Sequence, residues 1–222
     1  MSPIRLEAST RSAELALFDS RAIPALNAPS EAELASLVEE GRLLGLPTGS
    51  DGSFLLHLYV DAPVPPEVLQ YCDVGDKLAG SFHCASGHIA FAPPEAAFQA
   101  FEADASVRTD ASIEPGDYTY TAYHADFPGK LLRAAVEAHL TPRERHFLRA
   151  PMYCVVVAGI LGLLLGWMLH PLWVILLPAG YACSRYLRAS PRFEALGRRC
   201  REARIGFPSI VVALRPSGSP MP

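Results

Sequence analysis

No catalytic signature runs through this sequence. It has no GxSxG, HExxH, Walker or Rossmann pattern, the spacings that build a nucleophile elbow, a zinc-protease helix, a phosphate loop or a dinucleotide site. "GSDG" and "SGSP" lack phosphate-loop spacing and read as turns. The cysteines are few and scattered: Cys72, Cys84, Cys154, Cys183 and Cys200, with no CxxC. Such a set argues against structural zinc and against a disulfide framework, and reads as free thiols in a reducing compartment. The opening "MSPIRLEASTRSAEL" has no apolar core of signal-peptide length, so the N-terminus is expected not to be exported. There is no internal repeat.

Charge is missing where apolar residues concentrate. Positions 152–184 hold 33 residues without a permanent charge. A single helix of that length would reach about 50 Å, more than the bilayer's hydrocarbon layer of about 30 Å needs. Two full spans would need about 40 residues. Pro171 breaks the run at "LHPLW", leaving 152–169 and 172–187, which suit two short spans joined by a tight turn. Trp167 and Trp173 flank that turn, and Tyr153, Tyr181 and Tyr186 lie toward the opposite interface. Ala158, Gly162 and Gly166 form a small-residue stripe, which Ala179, Gly180 and Cys183 could face. Pro178 is expected to kink the second helix.

The charges are segregated. Positions 1–150 carry 11 Lys+Arg against 21 Asp+Glu; positions 151–222 carry eight arginines against Glu194 and Glu202. Arg143, Arg145 and Arg149 precede the apolar run, and Arg185, Arg188, Arg192, Arg198, Arg199, Arg201 and Arg204 follow it. Cytoplasmic flanks retain Lys and Arg, so a hairpin with both termini inside is preferred to one span. A soluble core hairpin and a shallow hairpin that does not cross fully are the alternatives. An acidic larger part would repel phosphate, which disfavours a nucleic-acid partner.

The remaining chain predicts an α+β protein: an N-terminal β-rich, sandwich-like domain (1–128), linking helices (129–150), a transmembrane helical hairpin (151–188), then a basic helix, strand and tail (189–222). Strands are expected at 13–19, 54–61 and 115–128, with a hairpin over 77–92 turning at Ser86-Gly87. In that register Phe82, Cys84, Ile89 and Phe91 point to one side, and His83, Ala85, His88 and Ala90 to the other. A helix is expected within 29–47, capped by Ser30 and Glu33 and stopped by Gly45. One or two helical turns suit "PPEVLQYC". An amphipathic helix follows at 129–140. Thr141, Pro142 and Glu144 start another helix that leads into the apolar run. A basic amphipathic helix is expected at 191–205, lying against anionic headgroups, and a strand at 208–216 that could return to the edge of the N-terminal sheet.

Chemistry-bearing residues have modest alternatives. His83 and His88, with His57 or His124, could hold a metal, but "HCASGH" is no established ligand spacing and surface histidines are the simpler reading. A Cys84–His nucleophile pair conflicts with the register that buries Cys84. Asp51, Asp61, Asp73, Asp76, Asp104, Asp110 and Asp117 suit turn and cap chemistry, or together an acidic face for a basic partner. No catalytic, cofactor or metal residue is therefore assigned, and no cofactor or small-molecule substrate is expected.

The segments Gly87-His88-Ile89-Ala90-Phe91 and Pro115-Gly116-Asp117-Tyr118, separated by an acidic stretch, resemble a pattern found in small bacterial proteins. These belong to uncharacterised families that sit beside secreted toxins and are taken to be immunity proteins. The resemblance covers about positions 50–128 and does not include the apolar hairpin. It implies a binding role without catalytic residues. The expectation is a non-enzymatic, two-pass inner-membrane protein with both termini cytoplasmic. Its partners would be a protein, such as a toxin, and membrane lipid. The alternatives are a membrane-organising or regulatory subunit whose hairpin carries the function, and a His-based metalloenzyme.

Overall fold

Arg5, Glu7 and Ser9 alternate with Leu6 and Ala8. In the computed structural model this period of two forms a strand, β1 (Ile4–Thr10), that turns Leu6 and Ala8 inward. The structure describes residues 2–23, 30–97, 107–168 and 175–218. After β1 come β2 (Glu14–Asp19), α1 (Glu31–Glu39), β3 (Leu43–Pro47), β4 (Gly52–Val60), the short α2 (Pro66–Leu69), β5 (Leu78–Cys84), β6 (His88–Ala92) and a 3-10 turn (Pro94–Ala97). Then follow β7 (Thr109–Ser112), β8 (Gly116–His124), helices α3 (Gly129–His139), α4 (Pro142–Met168), α5 (Leu176–Arg188) and α6 (Pro191–Arg204), and finally β9 (Ile210–Pro216). The α+β class holds. The chain divides into two compact units, 1–127 with 207–222, and 128–206.

The first unit consists of two sheets. One has the order β1-β4-β9-β8-β5, the other β3-β2-β6-β7. All pairs are antiparallel except β4 with β9. The inner faces share one core: Leu6, Leu56, Leu58, Phe82, Val212 and Leu214 from the first sheet meet Leu15, Leu17, Leu44, Leu46, Ile89 and Phe91 from the second. Burying each such side chain contributes about 1.5–3 kcal/mol against leaving it in water. A second cluster lies on the other face of the four-stranded sheet, where Leu37 of α1 covers Ala16, Phe18, Leu43 and Ala90.

Several elements differ from the sequence expectation. The helix expected to reach Gly45 ends at Glu39, and residues 43–47 form β3. The stop is Gly41, with φ +68 and so little room that a Cβ would sit 2.9 Å from the Ser81 carbonyl oxygen. Leu43, Leu44 and Leu46 then serve two cores, one on each side of their sheet. The expected hairpin over 77–92 is not one. β5 pairs with β8 and β6 pairs with β2 and β7, so Ser86-Gly87 is a corner between sheets. Phe82, Cys84, Ile89 and Phe91 nevertheless all enter the shared core. The last strand lies at the centre of its sheet and not at the edge, between β4 and β8. β1 and β7 are additional strands.

The corner is held by a carboxylate. Asp19, fully buried, accepts from the backbone N–H of Ser86 (2.7 Å), Arg21 (3.0 Å) and Ala22 (3.1 Å), and from the Ser86 hydroxyl. Burial pushes its pKa up, but the hydrogen bonds from Ser86, Arg21 and Ala22 outweigh this and hold it below the ordinary 3.8.

The second unit is helical. Thr141 and Glu144 form the expected capping box: the Glu144 N–H donates to the Thr141 hydroxyl (3.3 Å) and the Thr141 N–H to the Glu144 carboxylate (2.8 Å). Arg199 of α6 donates to the same carboxylate (2.7 Å) and to the His139 carbonyl, tying α6 to α3 and α4. α4 runs unbroken through Pro151. It packs on α5 in antiparallel order, with Cys154 facing Cys183, Ala158 facing Gly180, and Gly159 facing Leu177. Gly180 is needed there: a Cβ would run into Ala158 and sit 2.7 Å from the Cys154 carbonyl oxygen.

Of the transmembrane hairpin expected over 151–188, α4 alone among the described helices is long and apolar enough to cross a membrane; α5 has 13 residues. Leu169, His170, Pro171 and Trp173, expected at the turn, lie outside the described residues. Pro178, expected to kink the second helix, lies in the first turn of α5, where a missing N–H leaves no intrahelical bond unmade.

Candidate protein-binding surface

The outer face of the five-stranded sheet is only partly covered. Val68 and Cys72, in and just after α2, are buried, and so are His57 and Tyr59 of β4 and Val211 of β9. Toward β8 and β5 the face opens into a groove of about 620 Å³. It is lined by Thr119, Thr121 and Tyr123 of β8 and Ala213 and Arg215 of β9, which share a face by the period of two, and by Ala79 and Gly80 of β5. Pro63, Val64 and Leu69 form one wall.

The groove ends at an edge strand. Among the described residues β5 pairs on one side only, with β8. On its outer side the His83 N–H donates to the Gly41 carbonyl (2.7 Å). The N–H groups of Ala79 and Ser81 point to that same side. The opposite edge of the sheet is closed: the Glu7 N–H donates to the Thr109 hydroxyl (3.2 Å), which donates back to the Glu7 carbonyl.

The unit around this groove is acidic. Residues 1–127 and 207–222 hold 7 Lys+Arg against 19 Asp+Glu, a net charge of −12, while residues 128–206 hold 12 against 4, a net of +8. Two of the seven cations are neutralised locally. Arg42 pairs with Glu40 (3.3 Å) and Arg108 with Asp110 (2.8 Å). Asp73 serves its own turn, accepting from the Gly75 N–H (2.8 Å). Asp61 adopts φ +49, and its N–H donates to the Leu214 carbonyl (2.8 Å). Asp51 and Asp76 are exposed at turns, and Asp104 lies outside the described residues.

The histidines do not converge. The His83 ring lies 2.5 Å from the Asp117 carboxylate on the five-stranded sheet, and His88 lies 3.4 Å from the Ser112 hydroxyl on the other sheet. His57 is buried in β4 beside Tyr59, and His124 ends β8. Among the described residues no three His, Cys, Asp or Glu side chains are grouped to hold a metal ion. Cys84 is fully buried, and burial first, with the Asp19 carboxylate second, pushes its thiol up to about 11. A thiol so held stays protonated at neutral pH, which is the wrong state for a nucleophile. Nothing in the sequence marks the groove, because Ala, Gly and Thr on a strand carry no chemical signature.

No family model matches the sequence, and no curated protein matches it. Two solved structures are similar in arrangement. One is described as crocagin biosynthetic gene J (18% identity, 56% of this chain and 76% of that one, TM-score 0.40). The other is ComJ of Bacillus subtilis, an inhibitor of the DNA-degrading activity of NucA (12% identity, 56% and 84%, TM-score 0.36). These likenesses are broad, and no functional residue is carried over from either.

Proposed function

We propose that the chain is a membrane-anchored, non-enzymatic module that binds another protein, and that it acts as an immunity protein covering a toxin's basic site. The observation that carries this reading is the coincidence of charge with structure. The β-rich unit has a net charge of −12 and the helical unit +8, and the sign changes at the unit boundary. An acidic, preformed surface steers a basic partner and disfavours acidic ones. An inhibitor of the kind that ComJ is for NucA would fit this description.

The anchor is supported by what α4 exposes. Val156, Val157, Ile160, Leu163, Leu164 and Trp167 all stand open, Trp167 at 88%. A water-facing helix of this length would carry a polar face. Basic residues flank the apolar stretch on both sides, which fits an inner-membrane protein with both termini in the cytoplasm.

The test is coexpression with the product of the neighbouring gene, followed by purification from membranes and a salt titration of the complex. Growth rescue together with an association that weakens steeply with salt is expected. Purification from membranes without that partner, or binding indifferent to salt, would remove the reading.

A further inference from the structure

Arginines are numerous in the helical unit, but they are not equivalent. Arg145 pairs with Glu137 (3.3 Å), Arg199 with Glu144 (2.7 Å), and the Arg192 guanidinium lies over the Phe147 ring (4.8 Å). Arg185 and Arg188, like Arg198, Arg201 and Arg204 of α6, have no such partner among the described residues and are exposed, but Arg185 and Arg188 alone of these line a groove. They lie three residues apart on α5, hence about 4.5 Å apart along the helix axis. Together with Tyr181, Ser184 and Ala189, and with Val155 of α4, they line a groove of about 650 Å³.

The groove is graded. Its basic end is the last turn of α5, where the helix dipole favours the cations but supplies no counter-ion. Its other end opens at Val155 and Tyr181 onto the exposed apolar surface of α4. A ligand that fits both ends has a phosphate at one end and hydrocarbon at the other. We propose that this groove is a binding site for one anionic phospholipid. Its phosphate is held between the guanidiniums of Arg185 and Arg188, and an acyl chain runs over Val155. This rests on the membrane-anchored reading above. It differs from a diffuse basic flank in naming α5, not the more arginine-rich α6, as the lipid-selective element. Guanidinium suits the role because its planar fork binds two phosphate oxygens at once.

The test places the full chain in phosphatidylcholine nanodiscs containing a minority of phosphatidylglycerol and counts co-retained lipid by native mass spectrometry. Wild type should retain phosphatidylglycerol selectively. R185Q/R188Q should lose that selectivity roughly ten-fold or more, while R198Q/R201Q, which removes equal charge from α6, should keep it. If the glutamine pair fails to fold, R185K/R188K gives the reading: it keeps the charge but not the fork and should bind several-fold more weakly. Equal losses from the α5 and α6 pairs, or no selectivity in wild type, would overturn the site. Inorganic phosphate binding as tightly as phosphatidylglycerol to detergent-solubilised protein would assign the groove to the free anion and overturn it too. Failure of the chain to enter bilayers of either composition would sink the membrane reading itself, a separate and recognisable result.

Discussion

Phe127 and Phe207 meet edge to face, with ring centroids 5.3 Å apart and planes at 85°, although the whole helical unit lies between them in sequence. The Tyr71 ring also lies against Phe127, with centroids 4.7 Å apart and planes tilted by 42°. Just beyond this aromatic cluster the Ala125 N–H donates to the Ser209 carbonyl (3.0 Å), and His124 is in register with Ile210. The helices are thus inserted into a closed connection between two adjacent strands.

That closure gives the first prediction. Residues 1–127 joined to 207–222 through a short Gly-Ser linker should fold as a soluble acidic domain with cooperative urea unfolding. Residues 1–127 alone should not, because β4 and β8 would each lose their shared neighbour β9 and the core would lose Ile210, Val212 and Leu214. Circular dichroism and urea titration of the two chains make the comparison. A cooperative transition in 1–127 alone would contradict the topology.

Asp19 gives the second. Asp19→Asn presents an amide donor where the carboxylate accepts from Ser86, Arg21 and Ala22, and should cost about 1–3 kcal/mol. Because the folded pKa lies below the unfolded one, the ionised group stabilises the fold above about pH 4 and loses that effect as the pH falls through the folded pKa. Thermal melts of the linked β-rich domain between pH 3 and pH 7 should show an acid-labile component in wild type that is smaller in the variant. Identical profiles would mean that Asp19 does not hold the corner.

Cys154 and Cys183 give the third, with sulfurs 3.5 Å apart on α4 and α5. Copper phenanthroline should oxidise this pair to a disulfide, and peptide mapping under non-reducing conditions should find the 154–183 linkage. Cys72 and Cys84, buried in the other unit, should stay reduced. Recovery of other pairings in place of 154–183 would argue against the helix register.

A fourth prediction reads the same contact. Gly180→Val puts side-chain atoms where Ala158 and the Cys154 backbone already lie, and should force α4 and α5 apart. The 154–183 cross-link should then fall several-fold under equal oxidant, while Gly197→Val, whose Cβ would meet nothing closer than 3.9 Å, should leave it unchanged.

What can be read from the residues alone divides by distance along the chain. Both capping boxes, Ser30/Glu33 and Thr141/Glu144, are found where the spacing places them, because each closes within one helical turn. The burial of Phe82, Cys84, Ile89 and Phe91 follows from the period of two. The pairing of their strands does not: Ser86-Gly87 permits a hairpin, and the contacts that hold it as a corner come from Asp19, Ser20 and Ile113, all distant in sequence. "RLLGLP" is apolar on both faces, so helix and strand are not separable by pattern, and the decision falls to the packing of Gly41 against Ser81. At the candidate surface the acidic bias shows in composition, whereas the groove depends on which strands β8 happens to join.

The central place of β9 also sets an order of assembly. During translation the five-stranded sheet cannot close until residues 210–216 have left the ribosome, after the arginine-flanked helices have already emerged. The N-terminal strands therefore cannot complete their domain ahead of the rest of the chain, as an N-terminal domain ordinarily does. The β-rich unit, acidic face included, is therefore completed by the last strand of the chain and only after the helices have been made.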